Sequence, residues 1–168
     1  VTYRIALVCL GNICRSPIAH VVLDDRLVRA GLDDRVEVSS SGTGAWHVGE
    51  PMDRRAAAVL RDAGYDPSRH RARTFSADWF DQHDLVLAMD ASNLADIVDQ
   101  APQGGLREGH VRMFREFDPE AQDDLEVPDP WYGGSDGFRD VLAMIERTTD
   151  GLVDRLPDLM GGGPHLRT

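Results

Sequence analysis

The chain has 168 residues, 42% of them hydrophobic, and a formal net charge of −11. That is enough for one substantial core and too little for two ordinary domains, so one globular domain is expected over 1–160, with 161–168, "GGGPHLRT", as a mobile tail. The acidity argues against a nucleic-acid partner and against anionic membrane, and no apolar run is long enough to span a bilayer.

In chain order, strand and helix patterns alternate. Tyr3 to Cys9, "YRIALVC", reads as a buried strand, and Ser16 to Ala30 has helical periodicity stopped by Gly31. Val36 to Ser40 reads as a short strand, followed by the Gly/Ser/Thr loop "SGTGAWHVGEP" and a helix from Asp53 to Ala63 ended by Gly64. "DLVLAM", Asp84 to Met89, predicts a buried strand, "ASNLADIVDQ" a helix, and His110 to Phe114 a further strand. Asp136 to Leu156 predicts a long closing helix. Strands separated by helices imply an α/β fold: a mostly four-stranded parallel sheet with helices on both faces and ligands at the carboxyl ends of the strands. The N-terminal segment reads as a strand and lacks the pattern of a leader, which points to a cytoplasmic protein.

Both cysteines fall in one loop, "CLGNICRS", Cys9 to Ser16. They form neither a secretory disulfide framework nor a zinc-spaced cluster, so no structural metal and no cofactor are expected. A loop passing from a strand into a helix presents successive backbone N–H groups to one point, and the helix start favours an anion there. The Gly-Lys-Ser/Thr ending of a nucleotide-binding loop is missing; a cysteine comes first and an arginine six residues later. Arg15 can offer a planar fork to two phosphate oxygens. Cys9, close to the helix start and Arg15, is placed to react as a thiolate aimed at phosphorus, with Ser16 able to donate to it and Gly11 permitting the tight backbone. The same Cys-x-x-x-x-x-Arg spacing also arises by chance, and a cysteine closing a strand is commonly a small hydrophobe. A proton donor for the leaving oxygen could be Asp90, Asp118 or Asp129, and local sequence does not choose among them. Trp46, Trp131 and Tyr132 offer aromatic walls for a flat substrate ring.

"VCLGNICRSPIA" resembles the signature of the low-molecular-weight protein tyrosine phosphatases. "SSGTGAWHVGEPMDRRA", "DLVLAMDASNL" and "VPDPWYGGSDGF" resemble, in the right order, that family's second active-site wall, central strand and helix, and acid loop. The resemblance runs from about residue 3 to 155. It implies hydrolysis of phosphotyrosine in proteins through a phosphocysteine. Cys9 would be the nucleophile, the backbone of Leu10, Gly11, Asn12, Ile13, Cys14 and Arg15 with the Arg15 side chain would bind phosphate, and Ser16 would assist Cys9. It selects Asp129 as acid and then base, and leaves Asp90 and Asp118 structural. It implies that Asn12 shapes the loop through side-chain hydrogen bonds with Ser40 and His70, and that Cys14 can capture oxidised Cys9 in a reversible disulfide. Ile13 favours phosphotyrosine, since relatives acting on phosphoarginine carry threonine there.

The sequence departs from the common family pattern at Trp131, usually tyrosine, and at His20, often acidic, where only the helix surface is expected to change. A thioredoxin-coupled arsenate reductase needs further cysteines after Cys14, and the chain has none. A small-molecule phosphomonoesterase of the same mechanism and a catalytically weak phosphotyrosine-binding protein are the alternatives. Phosphotyrosine-containing proteins are the expected partners, and a monomer or weak dimer the expected state.

Overall fold

The computed structural model describes residues 1–161, apart from the side chain of Tyr132. The expected mobile tail therefore lies, Gly161 excepted, outside the described residues. Four parallel strands form one sheet in the order β2-β1-β3-β4: β1 Tyr3–Cys9, β2 Val36–Gly42, β3 Leu85–Ala88 and β4 Val111–Met113. Helices α1 Arg15–Arg29, α2 Arg54–Asp62, α3 Asp78–Gln82, α4 Ala91–Val98 and α5 Ser135–Met160 complete the fold. Short 3-10 turns occupy Phe114–Phe117 and Pro130–Tyr132. The expected α/β architecture holds.

The period-two geometry of the central strands splits the core. Ile5, Leu7, Leu85 and Leu87 join a cluster containing Ile18, Val22, Leu23, Phe138 and Ile145 from α1 and α5. Ala6, Val8, Val86 and Ala88 join another containing Phe75, Trp79, Phe80 and Ile97. Both faces of β1 and β3 are covered, which is why these strands read as continuous apolar runs.

Most element ends fall within a residue or two of the sequence expectation; β2 and α5 extend past it, and one helix is unexpected. β2 continues to Gly42 because the ladder with β1 extends through Cys9 opposite Gly42. The closing helix, expected to end at Leu156, runs to Met160: exposed Pro157 sits in its last turn and gives up only one backbone donor. α3 has no counterpart among the expected elements, since five residues are too short for periodicity to register.

Asp118 locks α5 to the segment after β4. Its side chain is fully buried. It accepts from Arg147 at 2.7 and 2.9 Å, Arg115 at 3.0 Å and the Glu120 N–H at 2.8 Å. Burial alone would raise this carboxyl, but the hydrogen bonds from Arg147, Glu120 and Arg115 outweigh it and hold the pKa at about 2. The structural reading of Asp118 agrees with this geometry.

A group whose pKa is depressed by folding stabilises above its unfolded value, ~4 for aspartate, and loses that contribution as pH falls through its folded value. The thermal midpoint of wild type should exceed that of Asp118→Asn above about pH 4, with the gap narrowing toward about pH 2; a constant gap contradicts the assignment. In α5, a Cβ on Gly151 would lie 1.9 Å from the Phe117 carbonyl oxygen. Gly151→Ala should therefore destabilise by about 1–3 kcal/mol in urea unfolding, despite alanine's better helix propensity; stabilisation would contradict this packing.

Candidate active site

The loop from Cys9 to Cys14 is held from outside by its carbonyl groups. Cys9 O accepts from Thr43 N at 3.0 Å and Leu10 O from Gly44 N at 2.8 Å. Asn12 O accepts from His70 Nε2 at 2.6 Å, Ile13 O from Asp53 N at 2.8 Å and Cys14 O from Ile18 N at 3.1 Å. In a trans peptide the N–H of the following residue points opposite to the carbonyl. The N–H groups of Leu10, Gly11, Ile13, Cys14 and Arg15 are thereby turned away from these tethers, and the start of α1 adds its positive end. Gly42 is required beneath the loop, because a Cβ there would stand 2.5 Å from Leu10 O.

Cys9 Sγ sits within this arrangement, accepting from Asn12 N at 3.3 Å and lying 3.0 Å from Ser16 Oγ. Asn12 takes the left-handed backbone conformation, φ 58°, that makes the turn. Its side-chain orientation is fixed because Oδ1 accepts from Arg73 N at 2.8 Å, so Nδ2 donates to Ser16 Oγ at 2.8 Å. With that acceptor position filled, the one Ser16 proton has two possible targets: Cys9 Sγ at 3.0 Å and the more distant Ser41 O at 3.4 Å. The shorter contact directs the hydroxyl at the sulfur. Burial pushes the Cys14 thiol strongly upward, with Asp53 adding to it, so Cys14 stays neutral. Both cysteines are buried and free.

Arg15 is 2% exposed. Burial opposes its charge, but Cys9, Asp90 and Asp129 outweigh it and raise its pKa further. One terminal nitrogen donates to Asp90 Oδ2 at 2.6 Å and Val127 O at 3.0 Å, and the other lies 3.7 Å from Asp129 Oδ2. Asp90 also caps α4 by accepting from Asn93 N at 2.7 Å, which makes it an orienting anchor. Asp129 is about one-third exposed, and its Oδ1 accepts from Trp131 N at 3.0 Å.

Cys9, Arg15, Asp129, Trp46 and Trp131 meet in a cleft of about 210 Å³, with Leu10, Gly11, Ile13, Cys14 and His47 completing its lining. Larger clefts between α2 and α5 and beside α1 contain no cysteine. The expected residues Asn12 and Ser16 lie behind the loop and are fully buried, whereas Tyr132 contributes only its backbone to the described structure. His47 is an addition that sequence reasoning passes over. Its ring lies 6.1 Å from that of Trp131, and a Cβ on Gly11 would approach it to 3.1 Å. Its only sequence signal is its place beside Trp46 in the wall loop.

The expected side-chain triad of Asn12, Ser40 and His70 is corrected. Asn12 spends its side chain on Ser16 and Arg73, while His70 grips the Asn12 carbonyl instead. Burial lowers the His70 pKa, and Nε2 must carry the proton because a carbonyl only accepts. Ser40 pairs with His20 Nδ1 at 3.2 Å. His20 is thus half-buried between Ser40 and Asp24 rather than a plain surface residue.

A thiol that meets a backbone N–H and a hydroxyl near a helix start, with an arginine and a carboxyl group in the same cleft, suits nucleophilic attack on a phosphate ester. A family model described as low molecular weight phosphotyrosine protein phosphatase matches residues 4–159. The chain is 46% identical to a low molecular weight protein-tyrosine-phosphatase of Streptomyces coelicolor, covering 96% of this chain and 98% of that one. It is 43% identical to low molecular weight protein-tyrosine phosphatase A of Mycobacterium tuberculosis, covering 96% of each. The crystal structure of YfkJ from Bacillus subtilis superposes with a TM-score of 0.85 at 30% identity, covering 94% of this chain and 96% of that one. Sequence and fold agree over nearly the full length, and the chain belongs to the low molecular weight phosphotyrosine protein phosphatase family.

Proposed function

We propose that this protein hydrolyses phosphotyrosine in proteins, with Cys9 as nucleophile, Arg15 and the loop N–H groups as the phosphate site, and Asp129 as acid and then base. The observation that carries this reading is the convergence on Cys9 Sγ of the Asn12 N–H and the Ser16 hydroxyl, in one cleft with Arg15 and Asp129. In the first step a lone pair of the Cys9 thiolate forms the S–P bond, with Asp129 protonated. The P–O bond breaks toward the tyrosyl oxygen, which takes its proton from Asp129. In the second step Asp129 removes a proton from water as its oxygen bonds phosphorus, and the S–P electrons return to Cys9. The loop donors stabilise negative charge on the phosphoryl oxygens, and the Ser16 hydroxyl stabilises the departing thiolate.

A narrow cleft walled by Trp46, His47 and Trp131 favours a flat aryl ester over a short alkyl one. Two free cysteines in one loop, with none elsewhere in the chain, suit a reducing compartment, and the cytoplasm is the location this reading assigns. The two thiols also suit a reversible intraloop disulfide when Cys9 is oxidised.

Metal-free hydrolysis of p-nitrophenyl phosphate and a phosphotyrosine peptide tests the reading. Cys9→Ser should abolish turnover, and Asp129→Ala should lower kcat/KM about 100-fold or more for the peptide, less for the better leaving group. Turnover by Cys9→Ser contradicts the mechanism. A much higher kcat/KM on a small phosphometabolite than on any phosphotyrosine peptide would instead favour a small-molecule phosphomonoesterase. After peroxide inactivation, thiol should restore wild type more completely than Cys14→Ser; equal recovery removes Cys14 from the protective role.

A further inference from the structure

We infer that Arg55 is a positioning residue for Asp129, acting as a clamp that fixes the distance between the phosphate loop and the acid loop. This rests on the hydrolase reading above. Arg55 Nε and one terminal nitrogen grip Asp53 at 3.1 and 3.2 Å, a forked contact that sets the guanidinium plane. The other terminal nitrogen donates to the carbonyl oxygens of Trp131 at 3.0 Å and Gly133 at 3.1 Å. The guanidinium carbon stands 5.3 Å from the Trp131 ring and 4.7 Å from the ring of fully buried Phe138.

Both ends of this clamp reach the chemistry. Asp53 N donates to Ile13 O, one of the tethers that turn the phosphate loop's N–H groups inward. At the other end, the Trp131 residue whose carbonyl Arg55 holds donates its N–H to Asp129 Oδ1. A continuous path runs from Ile13 through Asp53 and Arg55 to Trp131 and Asp129. The Pro130–Tyr132 turn is only three residues long, so such an external restraint has a geometric purpose. Lysine cannot replace it: an ammonium lacks the planar fork needed to face Asp53 and two carbonyls together.

The consequence concerns proton transfer to the leaving oxygen. Releasing the clamp leaves phosphate contacts by Cys9 and Arg15 in place but lets the Asp129 carboxyl move, which costs most where the leaving group needs its proton.

The test measures kcat/KM for phenyl phosphate and p-nitrophenyl phosphate with wild type, Arg55→Met, Arg55→Lys, Asp129→Ala and the Arg55→Met/Asp129→Ala double variant, with thermal midpoints alongside. Arg55→Met should lose about 10- to 100-fold on phenyl phosphate and much less on p-nitrophenyl phosphate. Arg55→Lys should not restore the loss, and Arg55→Met should add nothing in the Asp129→Ala background. Equal loss on both esters, or the same loss with Asp129 already removed, overturns the positioning role while leaving the hydrolase reading intact. A wild type inactive on both esters overturns the hydrolase reading and the clamp with it.

Discussion

The site depends on the outward tethering of five carbonyl groups in the loop from Cys9 to Cys14. A short loop left to itself would satisfy its polar groups locally or with water. Here the segment after β2, the start of α2, His70 and the first turn of α1 take up the carbonyls, and the N–H groups of the same peptides are turned toward the interior of the loop. Inward-facing N–H groups at the start of a helix favour an anion at the centre of the loop, beside the Cys9 sulfur that already accepts from Asn12 N.

Each surrounding element can be understood by the tether it supplies. The parallel register that places Cys9 opposite Gly42 brings Thr43 and Gly44 under the loop. A side chain at position 42 would separate the two. The β3–α4 junction supplies Asp90 for Arg15, and Met89 O holds Val127 N at 2.7 Å at the entrance of the acid loop. Cys9 and Arg15 come from one loop, Asp90 and Asp129 from two distant segments, and contacts at the carboxyl edge of one sheet bring them together.

Much of this was legible in the sequence because it rests on local signals. Apolar runs of the right length marked β1 and β3, and Cys9, Arg15 and the Gly-rich wall formed a motif with a stated chemistry. Asp129 could not be separated from Asp90 and Asp118 by residue type; the structure separates them by surroundings, with Asp118 sealed between two arginines and Asp129 partly open to the cleft. The partners of Asn12 were illegible for a different reason. Whether a histidine reaches a side chain or a carbonyl, and whether Ser40 faces Asn12 or His20, depends on packing between segments 58 and 20 residues apart in the chain. His47 and Arg55 carried no spacing signal, because their partners in the acid loop lie more than seventy residues away in the chain.

The most direct measurement is rapid acid quenching of the protein during turnover of p-nitrophenyl phosphate, followed by mass mapping of the phosphorylated residue. A phosphoryl group on Cys9, accumulating in Asp129→Asn and absent from Cys9→Ser, is the predicted result. A phosphoryl group on any other side chain, or catalytic turnover with no phosphoenzyme in either protein, would contradict a loop built around a thiolate.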